Sequence, residues 1–296
     1  MGLVAMGSSF GGVILPIMLI QLIPQIGFGW AMRTCAFLIL ALLVVSNLTV
    51  QSRLKPSRRP FKLAALVKPL REPAFALLTA AIFFFYCKNN TLESRQTARP
   101  VDQLLPFPKY PFANKKGGMF IPITFIVVEA RAKGMSPRLA DYLVPILNAG
   151  SIIGRTVPNA LADKVGHYRM MIAMSIFTTV LILALWLPTT PEAGSIAFAV
   201  LFGIASGAGI GLTPVLCAHI SPIHDIGLRT GAAFMFSSAA ALTGSPIGGQ
   251  LFTEGHGSLK YAKAFSGTSC GIGALLFAAS WMAWRRQMVK NGKGRA

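Results

Sequence analysis

One arginine stands well inside an apolar stretch of this chain, and its position sets the chemical question. Residues Asn148 to Arg169 read NAGSIIGRTVPNALADKVGHYR. The run starts as an apolar helix, carries Arg155 within it, and ends in a charged turn at Asp163, Lys164, His167 and Arg169. If Asp163 marks the point where the helix leaves a bilayer, Arg155 lies about 12 Å into a hydrocarbon core roughly 30 Å thick. A guanidinium at that depth costs at least a few kcal/mol unless it faces a wet cavity or a partner. Two roles fit. The side chain snorkels to the headgroups, or it lines a path for an anionic or polar solute.

The elements that must carry such a residue are membrane helices. Hydrophobic residues make up 53% of the 296 residues, charged residues only 12%, and the mean hydropathy is +0.59. Repeated apolar segments near 20 residues make this an all-α membrane protein. The net charge of +19 would point to nucleic acid in a soluble chain. Here the basic residues cluster in Arg53–Arg71 and Arg285–Arg295, between and after apolar spans. That is the positive-inside pattern of cytoplasmic segments, and no nucleic-acid partner is expected. The expected partners are the lipid bilayer and a small-molecule solute; the sequence leaves the oligomeric state open. Cys35, Cys87, Cys217 and Cys270 are widely spaced and carry no metal motif, so neither a metal nor a cofactor is expected. The four histidines are scattered and build no hydrolytic triad, so an enzyme is not expected.

In chain order, spans are predicted at Gly2–Ile23 and Phe28–Val50, the first containing Gly7 and Gly11 at a spacing that lets helices approach closely. A basic connection, 51–73, follows with Glu72 as its single acid. The next span is interrupted. Phe75–Tyr86 and Met119–Ala130 are apolar, but residues 87–118 between them are polar, proline-rich and net +4 by six basic residues against two acidic. Joined, the two halves would make one span, so the insert reads as a retained intron or, alternatively, as a functional loop such as a re-entrant hairpin tip. Further spans are predicted at Leu139–Ala162, Met170–Pro188, Ser195–Ile220, Ala232–Phe252 and Phe265–Trp284, and the chain ends in a basic tail. This gives about eight crossings with both termini cytoplasmic. Gly203, Gly207 and Gly211 lie on one helix face, and Pro246 stands among glycines in a helix suited to a gate.

The Asn148–Arg169 stretch resembles the helix-eight signature of the major facilitator superfamily in its monocarboxylate-porter branch. The matching residues are Asn148, Ala149, Ser151, Gly154, Arg155, Ala162, Asp163 and Gly166; Asn159 replaces a usual glycine and His167 a usual arginine or lysine. Asp225 to Gly249, DIGLRTGAAFMFSSAAALTGSPIGG, is similar to a second pattern, found in fungal relatives of that branch. The resemblance implies a partial major facilitator fold, family helices five to twelve. On that division 1–50 are two helices of the N-terminal half, 51–73 the cytoplasmic connection, 74–284 a C-terminal six-helix bundle with 87–118 inserted, and 285–296 a tail.

It further implies a transporter moving a monocarboxylate or riboflavin-like solute by alternating access, in the plasma membrane or a vacuolar or other organellar membrane. Candidates for the solute path are Arg155, Asn148, Thr124, Phe125, Thr213 and Phe234, although for the two phenylalanines packing is the plainer role. Candidates for the gating loops are Gly154, Asp163, Gly166, Arg169, Asp225 and Arg229, with ordinary solvated charges as the plainer reading of the acids. Proton-coupled animal members carry an aspartate one turn before the helix-eight arginine, and Ser151 stands there instead. A serine does not titrate at physiological pH, so coupling through that position is not expected. The rival to a transporter is an incomplete, non-transporting membrane protein from a truncated or mis-spliced gene.

Overall fold

A computed structural model describes residues 2–50, 66–87, 126–127, 129–131, 133–188, 192–254 and 259–290. Seven helices carry it: α1 Gly2–Thr49, α2 Pro73–Cys87, α3 Pro137–Val165, α4 His167–Val180, α5 Glu192–His219, α6 Ile226–Glu254 and α7 Lys260–Lys290. Among the described residues there is no strand. The fold is all-α. Among the described residues four stretches are long and apolar enough to cross a membrane: Met6–Thr49, His167–Trp186, Glu192–His219 and Lys260–Lys290; Pro73–Tyr86 is a shorter apolar helix.

Each boundary has a local cause. Helix α1 breaks at Gly27, whose φ of 78° and ψ of 162° lie outside the helical region, and so it divides where the sequence predicts two spans. Ser136 caps α3, its hydroxyl accepting from the Leu139 N–H, and Pro137 follows, where a missing N–H costs nothing. Gly166, at φ 105°, is the whole connection between α3 and α4. A side chain there would be strained, and the predicted charged turn is in fact a single-residue corner. Asp163 and Lys164 end α3, while His167 and Arg169 begin α4.

The helix that carries Arg155 is amphipathic where its neighbours are not. Asp141, Asn148 and Arg155 recur along α3 at two-turn spacing. Its other face packs on α5 backbone to backbone. A Cβ at Gly154 would meet the Ile204 carbonyl oxygen at 2.0 Å, and one at Gly150 would meet that of Val200 at 2.5 Å. From the α5 side, Gly203 faces Leu147 and Gly207 faces Ser151 in the same way. The pairs advance together, so α3 and α5 run parallel. Close backbone approach of this kind is how membrane helices associate without a hydrophobic driving force. The predicted glycine face of α5 is therefore its α3 face. Helix α7 packs antiparallel on α2, with Gly273 against Ala81 and Phe85, and Ser280 donating to the Ala74 carbonyl at 2.8 Å.

Two apolar clusters stack along the bundle. Phe75, Leu78, Phe85, Met171, Leu212 and Phe277 fill the corner end, near Gly166. Leu143, Leu147, Trp186, Phe198 and Phe202 fill the opposite end. Outside them, Phe28, Phe37, Leu42, Leu43 and Leu48 of α1 are exposed, a surface suited to lipid tails rather than water. Residues 88–125, holding nearly all of the insert and the start of the second half-span, lie outside the described residues.

Candidate solute site between the helices

Arg155 is 8% exposed, about 15 Å along α3 from the corner. One guanidinium nitrogen donates to the Ser8 hydroxyl of α1. Asn148, two turns away, sits against Gly12, where a Cβ would come within 2.4 Å of its Oδ1. Ser8 with Arg155 and Gly12 with Asn148 define an antiparallel contact. The close approach on α1 is thus made by Ser8 and Gly12, not by the predicted Gly7 and Gly11, beside which a Cβ would have open space.

Thr213 is fully buried on α5 and donates to the Gly209 carbonyl at 2.8 Å. Tyr86 of α2 stands close enough to Thr213 and Arg155 for both to act on its phenol electrostatically. The Tyr86 ring meets Phe234 of α6 edge to face, centroids 6.3 Å apart at 70°. Phe234 is 40% exposed. Of the six path candidates, Phe234 therefore touches Tyr86, a residue that the sequence did not single out. Asn148 shares the α3 face with Arg155 but is turned to α1. Thr124 and Phe125 lie outside the described residues.

Asn159 explains its own departure from glycine. Its side-chain amide donates to the Arg155 carbonyl one turn back, and a Cβ at Gly211 would meet its Nδ2 at 2.3 Å. The glycine at this crossing is supplied by α5 instead. Ser151 donates to the Gly203 carbonyl at 3.0 Å and is buried in the α3–α5 contact. That position is packing, not part of a wet face.

The gating candidates take separate partners. Asp163 is exposed and contacts His167 at 3.2 Å, within its own corner. Arg169 lies over the Trp281 ring at 5.7 Å. Gly154 is a packing glycine about three turns before the corner, not a loop residue. Asp225 ends a single 3-10 turn, Ile223–Asp225. Arg229 is not in a loop either: α6 starts at Ile226, and Arg229 is buried in its first turn. Two of its nitrogens grip the two Glu72 oxygens at 2.6 and 2.8 Å, and its guanidinium rests over Phe75 at 5.5 Å. The lone acid of the basic connection was the signal for that pair.

A second buried charge cluster closes the opposite end. Lys263 is 3% exposed and donates to Glu129 at 2.6 Å and to the Trp186 carbonyl at 2.8 Å. Glu129 also accepts from Lys133 at 2.6 Å and from the Trp186 indole N–H at 3.1 Å. The geometry follows from how α4 ends. Its last turn, Leu181–Trp186, widens into a π-helix in which Leu187 N–H reaches back to Ile182. The Trp186 carbonyl lies at the end of that turn, where helix carbonyls commonly need outside donors, and Lys263 donates to it. Trp186 stacks on Phe198, and Phe198 on Phe202, at 5.1 and 5.2 Å. The sequence hid this cluster because Lys263 was read as lying before its span.

The family model of the Major Facilitator Superfamily matches residues 117–295. The chain belongs to that superfamily. An MFS-type transporter of Penicillium oxalicum is 45% identical over 94% of this chain and 58% of the relative. One of Gibberella moniliformis is 42% identical over 94% of this chain and 60% of the relative. The fujikurins efflux protein of Gibberella fujikuroi is 36% identical over 98% of this chain and 56% of its own length. The chain thus spans less than two thirds of the length of these relatives. Family and apolar helices together make it an integral membrane protein with a partial major facilitator fold. The comparisons carry the superfamily but not the monocarboxylate-porter branch, since the relatives are named as MFS-type transporters and metabolite efflux proteins.

Proposed function

We propose that this facilitator carries a small organic anion across a membrane by alternating access, with Arg155 as the cationic group of the solute path. The observation that carries the reading is the guanidinium held mid-helix, at the contact between α1 and α3. On the expected division of the chain, α1 belongs to one half and α3 to the other, so Arg155 stands where the halves must slide. Ser8 and Gly12 are small enough to permit that sliding. A carboxylate entering between the halves offers Arg155 a charge-assisted, two-point partner in place of a serine hydroxyl. Its differential affinity for the open and closed arrangements is what shifts the populations.

The solute is a carboxylate or comparable polar acid, as the monocarboxylate-like reading expects. The efflux names of relatives, fujikurins and aspyridones among them, favour export of an acidic secondary metabolite over uptake of a nutrient. Riboflavin-like solutes have less support in the efflux names of these relatives. Ser151 faces α5, so no titrating group stands one turn from Arg155 on that side. The Glu72–Arg229 pair fastens α2 to α6 at the corner end, where Lys68, Arg71, Arg169, Arg285 and Arg286 gather. By the positive-inside rule that end is cytoplasmic. We place the protein in the plasma membrane or a vacuolar or other organellar membrane.

The test is flux. Proteoliposomes holding the chain and loaded with 2-naphthoate at pH 8 should release it faster than protein-free vesicles, with saturation. Equal rates would contradict the transporter reading and leave the non-transporting one standing.

A further inference from the structure

We propose that Arg169 and Arg285, held over the Trp281 ring, form a site for the headgroup of an anionic phospholipid at the cytoplasmic end of α4 and α7. This site is separate from the solute path and does not involve Arg155.

Helix α7 runs antiparallel to α4. A Cβ at Gly267 would meet Leu183, one at Gly271 would lie 3.5 Å from Thr179, and the Cys270 thiol donates to the Ser175 carbonyl at 3.5 Å. The same register brings Trp281 level with Arg169. Arg169 lies over the Trp281 ring, 5.7 Å from its centroid, and Arg285, one turn further along α7, lies over it at 5.3 Å. One indole thus gathers two guanidinium groups. Trp281 is half-buried and packs against the apolar cluster of the corner end, so the platform is fixed, while both arginines are exposed. Contacts of this kind are weak at an exposed site, but they restrict where the long side chains reach.

Arg229 shows what completes such a group in this fold. Its guanidinium also rests over a ring, that of Phe75, and it grips the Glu72 carboxylate as well. Arg169 and Arg285 have the ring without the carboxylate: among the described residues neither makes an ion pair. At this end Glu72 is taken by Arg229, Asp163 contacts His167, and Asp225 pairs with neither arginine. Two exposed guanidinium groups converging on one ring suit the two free oxygens of a phosphodiester. The depth favours a lipid over a soluble phosphate. Tryptophan is at home at the boundary between membrane and water. About 10 Å deeper than Arg169, Ile176 of α4 and Leu275 of α7 are exposed to acyl chains. By the positive-inside rule this end faces the inner leaflet, where anionic lipids concentrate.

The experiment titrates the purified chain in detergent with phosphatidylglycerol and with phosphatidylcholine of the same acyl chains, and counts bound lipid by native mass spectrometry. Phosphatidylcholine carries the same phosphate beneath a choline cation, which the arginines repel. Wild type is expected to prefer phosphatidylglycerol by about 10-fold or more, the contribution of two basic residues at a charged headgroup. Arg169→Gln with Arg285→Gln should bring the two lipids to within about 3-fold. Arg286→Gln with Lys290→Gln removes as much charge nearby and should keep the preference. Trp281→Leu keeps both charges but not the ring, and should lower the preference several-fold. A preference that survives the Arg169 and Arg285 changes, or the loss of Trp281, overturns the inference. So does an equal loss in the Arg286 and Lys290 variant, which would show diffuse surface charge. Displacement of phosphatidylglycerol by an equal concentration of glycerol 3-phosphate would overturn it too, in favour of a soluble phosphate.

Discussion

Glu129→Gln is expected to destabilise the bundle by about 3–5 kcal/mol, the cost of leaving a buried partner charge uncompensated. Lys263 and Glu129 have side chains only 4% and 11% exposed, so water cannot take over when the carboxylate is removed. The amide keeps the shape and accepts a hydrogen bond, but two ammonium groups then face it without a counter-charge. The loss should appear as a lower unfolding midpoint in a detergent or denaturant titration. Adding Lys263→Met to Glu129→Gln should recover most of it, because replacing a buried pair by apolar groups of similar volume is often close to neutral. A single variant as stable as wild type would show that the cluster is solvated.

Arg155→Ala is expected to lower naphthoate flux by about 30-fold or more, the equivalent of removing one partner of a buried charge pair. Arg155→Lys keeps the charge but not the planar fork that engages a carboxylate at two points, and should lose about 10-fold. Membrane insertion should be unaffected, since alanine is easier to bury than arginine. Unchanged flux in both variants would leave the snorkelling role as the account of Arg155.

How much of this was legible depended on whether a feature was local. The depth of Arg155, the glycine face of α5 and the break within α1 all follow from spacing along one helix. Partner choice does not. Gly7 and Gly11 have the spacing of a packing face, yet the neighbour uses Ser8 and Gly12, because the direction from which α3 approaches is a tertiary fact. Charged residues misled the helix boundaries in a consistent way. Arg229 and Lys263 were each read as lying before a span, because an unpaired charge is costly in one; both are inside helices and pair with Glu72 and Glu129 respectively. Tyr86 escaped notice because it closes the first half of the interrupted span, and nothing in its own neighbours points to Phe234 on α6.

Water access beside Arg155 tests the central claim most directly. Ser8→Cys, which leaves Arg155 in place, with Cys35, Cys87, Cys217 and Cys270 replaced by alanine, is to be treated with a membrane-impermeant anionic thiol reagent in the presence and absence of 2-naphthoate. A solute path predicts steady modification that slows as naphthoate is added, because solute and reagent compete for the same route. No modification, or a rate indifferent to naphthoate, would contradict the account.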